Sequence, residues 1–173
     1  MAQTDVRTIM AQLKKGELYN LYYLYGQNVS GVETLTKAII KKAVGENEEF
    51  SLNRLNGKSL NISDFRDMAE MMPMMSEYNC ILVNDYNCEE QREDANKRLI
   101  DALKEIPPQT VVIFNITGFE IKTKKVRGRF EVADKNKKLV DFISKNGIVC
   151  EQGIRTPAEL AKDIAARSSS LPF

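Results

Sequence analysis

Leu21-Tyr22-Tyr23-Leu24-Tyr25-Gly26-Gln27-Asn28-Val29-Ser30-Gly31-Val32-Glu33 joins a near-continuous apolar run to a glycine-bounded loop and then to a helical pattern. An apolar run of that kind reads as a central strand covered on both faces. Strand, glycine-bounded turn and helix in succession are the setting of a phosphate-binding loop. A working loop reads G-x-x-x-x-G-K-[ST]: its backbone N–H groups cradle phosphates, the lysine neutralises them and the hydroxyl holds magnesium. Gly26 and Gly31 stand at the two glycine positions, but Val32 and Glu33 occupy those of the lysine and the hydroxyl. A carboxylate where a cation and a metal ligand belong would repel a triphosphate. The stretch therefore predicts the fold of a nucleotide switch with a degenerate nucleotide site.

Outward from it, Val6, Ile9, Met10 and Leu13 fall on one helical face that stops at Lys14-Lys15-Gly16. On the other side, Thr34 to Val44 reads as a helix with Leu35, Ala38, Ile39 and Ala43 inward. Phe50, Leu52 and Leu55 read as a strand ended by Asn56-Gly57, and a helix capped by Ser63 runs to Met72. Cys80 to Val83 is a short buried strand. A charged helix from Glu89 to Ile106, a stop at Pro107-Pro108 and a strand from Thr110 to Phe114 follow. A last unit comprises a helix from Asn136 to Lys145, a strand at Ile148-Val149-Cys150 and a helix opened by Thr156-Pro157 with Glu159. Five strands alternating with helices predict an α/β fold with a doubly wound, mainly parallel sheet. The expected division is one α/β domain over residues 1–155, then a last helix and the start of a truncated second domain over 156–173.

A length of 173 residues, 43% of them hydrophobic and 28% charged, suits one folded domain, and a net charge of +1 supplies no general attraction to nucleic acid. Histidine is absent, which removes Ser-His and Cys-His catalytic pairs and the commonest zinc ligand. Cys80, Cys88 and Cys150 form no C-x-x-C pair and read as small apolar or partly exposed residues in a reduced compartment. No cofactor and no metal are expected. The N-terminus is polar and no apolar run reaches bilayer length, so cytoplasmic residence without membrane contact is the expectation.

Three further features bear on function. Asp85, after the third strand, could hold magnesium through water, the plainer reading being a turn; Tyr86 stands where a second acid would activate water. Asn115, after the fourth strand, reads either as a relic of phosphate sensing or as a loop-satisfying side chain. Met68, Met71, Met72, Met74 and Met75 crowd around Pro73: the first three at helical spacing suit packing on the sheet, and Pro73 sets Met74-Met75 on a new turn, where they read either as a pair with at least one exposed or as two ordinary core methionines. Finally, Lys122-Thr123-Lys124-Lys125-Val126-Arg127-Gly128-Arg129-Phe130 is the one basic concentration. It reads as a hairpin that is either a solvated loop or a DNA contact through Lys124, Lys125, Arg127 and Arg129.

Leu13-Lys14-Lys15-Gly16-Glu17-Leu18, Tyr22-Tyr23-Leu24-Tyr25-Gly26, Glu33, Asn56-Gly57-Lys58, and Pro73-Met74-Met75-Ser76 ahead of Ile81-Leu82-Val83-Asn84-Asp85 occur in this order. With the helix start Pro157-Ala158-Glu159-Leu160-Ala161 they resemble the N-terminal region of the delta subunit of bacterial DNA polymerase III, over essentially the whole chain. The resemblance implies a P-loop NTPase-type, AAA+-like domain that does not bind ATP, followed by a helical lid and a collar domain. It implies a clamp-loader component that is not itself an enzyme, although it serves a nucleotidyltransferase holoenzyme. In that family a hydrophobic pair on a short helix before the third strand enters a pocket of the sliding clamp, the beta subunit, and helps to open the ring. The matching positions are Met74 and Met75, with Pro73 and Met72 beside them. The chain departs from the family at Gln27, where an acid is usual, at Met75, often Phe, and at Tyr78-Asn79, near which basic residues are usual. The implied partners are the clamp and, in the full-length protein, other loader subunits, with DNA contact indirect. Two rival readings stay open: a nucleic-acid-binding module using Lys122 to Arg129, and an atypical nucleotide-dependent enzyme.

Overall fold

Period-two alternation of apolar side chains gives the sheet two buried faces, and the helices divide between them. The computed structural model describes residues 4–153. The expected helix at Thr156-Pro157, the second domain over 156–173 and the tail lie outside the described residues. In chain order the elements are α1 (Val6–Lys14), β1 (Leu21–Tyr25), α2 (Val29–Val44), α3 (Glu48–Ser51), β2 (Leu52–Asn56), α4 (Ile62–Glu70), β3 (Asn79–Asn84), α5 (Glu93–Lys104), β4 (Thr110–Asn115), β5 (Thr123–Val126), β6 (Arg129–Val132), α6 (Lys137–Asn146) and β7 (Ile148–Glu151).

Five of these strands form one parallel sheet, as expected, and their order is β2-β3-β4-β1-β7. Leu21, Tyr23, Tyr25, Ile81, Val83, Val112 and Phe114 face α4, α5 and α6. Tyr22, Leu24, Cys80, Leu82, Val111 and Ile113 face α1 and α2. A parallel sheet covered on both faces is the doubly wound architecture of P-loop NTPase and AAA+-like domains. After β1 the chain turns to α2 on one face; after β4, its neighbour in the sheet, it turns to α6 on the other. That divergence at the carboxyl edge is where such sheets receive ligands. Among the described residues no helix is long and apolar enough to cross a membrane.

Four boundaries differ from the sequence reading, each for a local reason. Helix α2 begins at Val29 rather than Thr34, because Asn28 Oδ1 accepts from Gly31 N and caps it early. Phe50 belongs to the helical turn α3, which opens at Asn47 with Glu48 and Glu49 in its first turn, so the strand starts only at Leu52. Helix α4 is capped by Asn61, not Ser63, and ends at Glu70. Pro73 disfavours the helical conformation just before it and its ring would clash with the Ala69 carbonyl. That carbonyl instead accepts from Thr110 Oγ1, and the Met68 carbonyl accepts from Asn79 Nδ2. Helix α5 spans Glu93–Lys104, shorter at both ends than expected, and a short 3-10 turn at Cys88–Glu90 precedes it. All three cysteines are buried, none partly exposed.

Candidate functional site

The loop after β1 is short, and much of its backbone is engaged within the chain. Only Gly26, Gln27 and Asn28 separate β1 from α2. Asn28 N donates to Gln152 O at 2.9 Å, Val29 N to Gln27 O, and Gly31 N to Asn28 Oδ1, so these amides are already paired. Gln152 N in turn donates to Tyr25 O at 2.7 Å, which clamps the end of β7 over the loop. Gly26, at φ +133°, is the residue that permits this: a Cβ there would overlap the Gln152 backbone. Val32, at the position of the phosphate-binding lysine, is wholly buried in the core beside α1 and β1, whereas Glu33 is exposed. The adjoining cleft, about 560 Å³, is lined by Gly26, Gln27, Thr117, Gly118, Glu120 and Glu151 among others; among the described residues its only charged groups are the two carboxylates. Such a cleft repels polyphosphate.

The strand ends beside it do structural work. Asp85, at φ 56°, accepts on Oδ1 from Thr117 N at 2.7 Å and Gly118 N at 2.8 Å, which makes it an organiser of the loop after β4. Tyr86 is buried, and its hydroxyl donates to Asn96 Oδ1 at 2.8 Å. Asn115 is buried and its Oδ1 meets no donor among the described residues, so it does not satisfy the loop through that atom. Burial pushes the Cys80 and Cys88 thiols up to about 12 and that of Cys150 to about 11, holding them protonated and non-nucleophilic at neutral pH.

At the opposite, amino-terminal edge of the sheet lies a different surface. Met68 packs on the core as expected, but Met71 and Met72 do not: they follow the end of α4 and are 52% and 72% exposed. Met74 and Met75 are 61% and 73% exposed. Residues Met74–Glu77 form a bend rather than a helical turn. Met75 sits at φ 64°, a conformation that costs a non-glycine residue about 1–2 kcal/mol. Two side chains from the α3 turn hold it there: Asn47 Nδ2 donates to Met75 O at 2.6 Å, and Ser51 Oγ donates to Met74 O at 2.6 Å. Ser76 Oγ lies 2.7 Å from Ser51 Oγ and 2.9 Å from Tyr78 O. Gln109 Nε2 approaches Met72 Sδ at 3.6 Å. The bend is thus fixed at both carbonyls while its apolar side chains point outward.

The basic stretch folds as the hairpin β5–β6, turned at Arg127 (φ 52°) and Gly128 (φ 82°), the two positive φ values that a two-residue hairpin loop needs. Lys124, Lys125 and Arg127 are exposed and make no ion pair among the described residues, whereas Lys135 and Lys137 pair with Glu93, Glu131 and Asp141. The Arg129 backbone pairs with Val126; the side chains of Arg129 and Phe130 lie outside the described residues.

The sequence reading missed Asn47, Phe50, Ser51 and Gln152. Asn47-Glu48-Glu49 did carry a helix-start signal, a capping residue followed by acids, which the apparent strand alternation of Phe50 and Leu52 obscured. Nothing in the sequence marks Gln152 as the group that closes the loop, since the contact joins residues far apart in the chain.

The protein-family model described as DNA polymerase III, delta subunit, matches residues 22–147. No curated protein matches. Among solved structures, the Bacillus subtilis DNA clamp loader delta protein superposes with a TM-score of 0.66 at 22% identity, over 94% of this chain and 46% of that one. A Thermotoga maritima DNA polymerase III gamma subunit-related protein gives 0.55 at 14% identity, over 92% and 49%. A structure described as a DNA replication initiation factor gives 0.51 at 17% identity, over 96% and 51%. At these identities the superpositions establish the fold, and this chain spans about half the length of each.

Proposed function

The chain belongs to the DNA polymerase III delta subunit family, a family of DNA replication and clamp loading, and from that premise we propose that it grips the sliding clamp through the bend Met72-Pro73-Met74-Met75 and hydrolyses no ATP itself. The observation that carries the proposal is the bend: three methionines more than half exposed, with a backbone strained at Met75 and held at the Met74 and Met75 carbonyls by the α3 turn. Strain kept at the surface without serving the core is the mark of a preorganised contact. Methionine suits it, being flexible enough to fill an irregular apolar pocket. The absence of hydrolysis is supported by the closed loop at Gly26 and by the two carboxylates of its cleft.

Opening follows from differential affinity. If the apolar pocket fits the bend better when one interface of the ring is sprung, the binding energy favours the open ring, with no push transmitted through this domain. Other loader subunits, driven by ATP, govern when the bend is available. The test is binding of the full-length protein to the sliding clamp of its own organism, beside Met74→Ser/Met75→Ser. Burying the exposed parts of both methionines is worth about 2–4 kcal/mol, so the variant should bind roughly 30-fold or more weakly with an unchanged melting midpoint. Equal binding would reject the site.

A second reading has its own observation, exposed Lys124, Lys125 and Arg127 on the β5–β6 hairpin, which make no ion pair among the described residues. These cations, with Arg129, touch DNA phosphates within the assembled loader. Such binding would be salt-sensitive, and replacing Lys124, Lys125 and Arg127 by Gln should reduce the salt slope of DNA binding by roughly one for each phosphate no longer neutralised. An unchanged slope would refute it.

A further inference from the structure

We infer that the docking surface is composite: Phe50 is a third apolar anchor beside Met74 and Met75, and the surface fits a protein pocket whose rim is basic. The inference rests on the clamp-binding reading and extends it to residues in a separate segment. Phe50 is 56% exposed although it is the largest side chain of α3, and Ser51 is the only buried residue of that turn. It belongs to the same unit as the methionine bend, because Asn47 and Ser51 bond the two carbonyls of that bend and Phe50 N donates to Asn47 O at 3.1 Å. An exposed phenyl ring on the short turn whose Asn47 and Ser51 brace the bend adds an aromatic side chain to the exposed methionines, and aromatic side chains dominate the energetic centres of interfaces.

The charge around it identifies the partner. Residues 45–51 and 70–77 carry Glu46, Glu48, Glu49, Glu70 and Glu77 and no lysine or arginine. Arg54 lies 3.7 Å from Glu48; the other four carboxylates make no ion pair among the described residues. A phosphate backbone would be repelled, whereas a protein pocket rimmed by lysines or arginines would be steered onto the apolar centre.

The test measures association and dissociation of the full-length protein with the sliding clamp of its own organism across a range of salt. Phe50→Ala should weaken binding about tenfold without changing the melting midpoint, and Phe50→Tyr should retain it. Glu46→Gln/Glu49→Gln/Glu77→Gln should slow association and flatten its salt dependence while leaving dissociation unchanged. If Met74→Ser/Met75→Ser abolishes binding while Phe50→Ala and the triple glutamine variant stay within about twofold of the unaltered protein, the clamp-binding reading survives and the composite surface is overturned. If Met74→Ser/Met75→Ser has no effect, both are overturned.

Discussion

Writing the phosphate-binding motif back into this chain should unfold it rather than revive it. Val32→Lys/Glu33→Thr recreates G-x-x-x-x-G-K-T in sequence. In space, however, residue 32 is the fourth of helix α2 and wholly buried. Losing the burial of valine costs about 1.5–3 kcal/mol, and an ammonium placed among apolar side chains costs several more unless it deprotonates or forces its way out. A total of roughly 4–8 kcal/mol rivals the whole stability of an ordinary domain, about 5–15 kcal/mol. Glu33→Thr alone, at an exposed position, should stay within about 0.5 kcal/mol. Denaturant titration of the two single variants and the double variant separates these effects, and calorimetry with magnesium and ATP asks whether any folded fraction binds. A double variant that keeps its midpoint and binds nucleotide would refute the view that the short, Gln152-closed loop, rather than two wrong side chains, defines this site.

Three other outcomes follow from the geometry. Gly26→Ala should destabilise by about 2–4 kcal/mol, since its Cβ would overlap the Gln152 backbone; a loss under about 1 kcal/mol would mean that β7 yields easily there. Met75→Gly should relieve the left-handed strain and raise stability by up to about 1 kcal/mol while weakening clamp binding, and a clear loss of stability would show that the Met75 side chain supports the fold. Alkali should unfold the protein early. Burial raises the Cys80 thiol from 9.0 to about 12, Cys88 likewise, Cys150 to about 11, and the Tyr22 hydroxyl from 10.0 to about 12. The native forms stay protonated while the unfolded ones ionise. Their contribution is therefore complete below the unfolded values and is lost as pH climbs from about 9 towards 12, by roughly 1.4 kcal/mol per pH unit for each group titrating only in the unfolded chain. A flat denaturation midpoint between about pH 9 and 10.5 would contradict it.

The parts of the fold that were legible are those written in periodicity. Tyr22 and Tyr23 face opposite sides of β1, and both are buried because helices cover both faces; an unbroken apolar run states that directly. The hairpin was legible from Arg127-Gly128 for a similar local reason. What failed was decided by partners distant in sequence. Met71 and Met72 continue the helical spacing of Met68, yet α4 ends before them because Pro73 blocks the next turn and Thr110 and Asn79 take its last carbonyls. The closure of the loop by Gln152 and the bracing of Met74-Met75 by Asn47 and Ser51 join positions that no local pattern links.

The two surfaces stand at opposite ends of the sheet, and that separation constrains any mechanism. The bend precedes β3 and α3 precedes β2, so both lie at the amino-terminal edge, while the closed loop, the acidic cleft and the basic hairpin lie beyond the carboxyl ends of β1 and β4. A strand of six residues such as β3 is about 20 Å long. A nucleotide in the cleft of this chain could not touch the bend, because a whole strand length separates the two. On the proposed reading, losing nucleotide chemistry at one edge leaves the grip at the other unaltered. On that reading, control of the grip comes from contacts that cover or uncover the apolar surface itself. The same layout separates charge, with carboxylates in the segments around the methionines and exposed cations on the hairpin, so on the proposed readings partners of opposite character would not compete for one face.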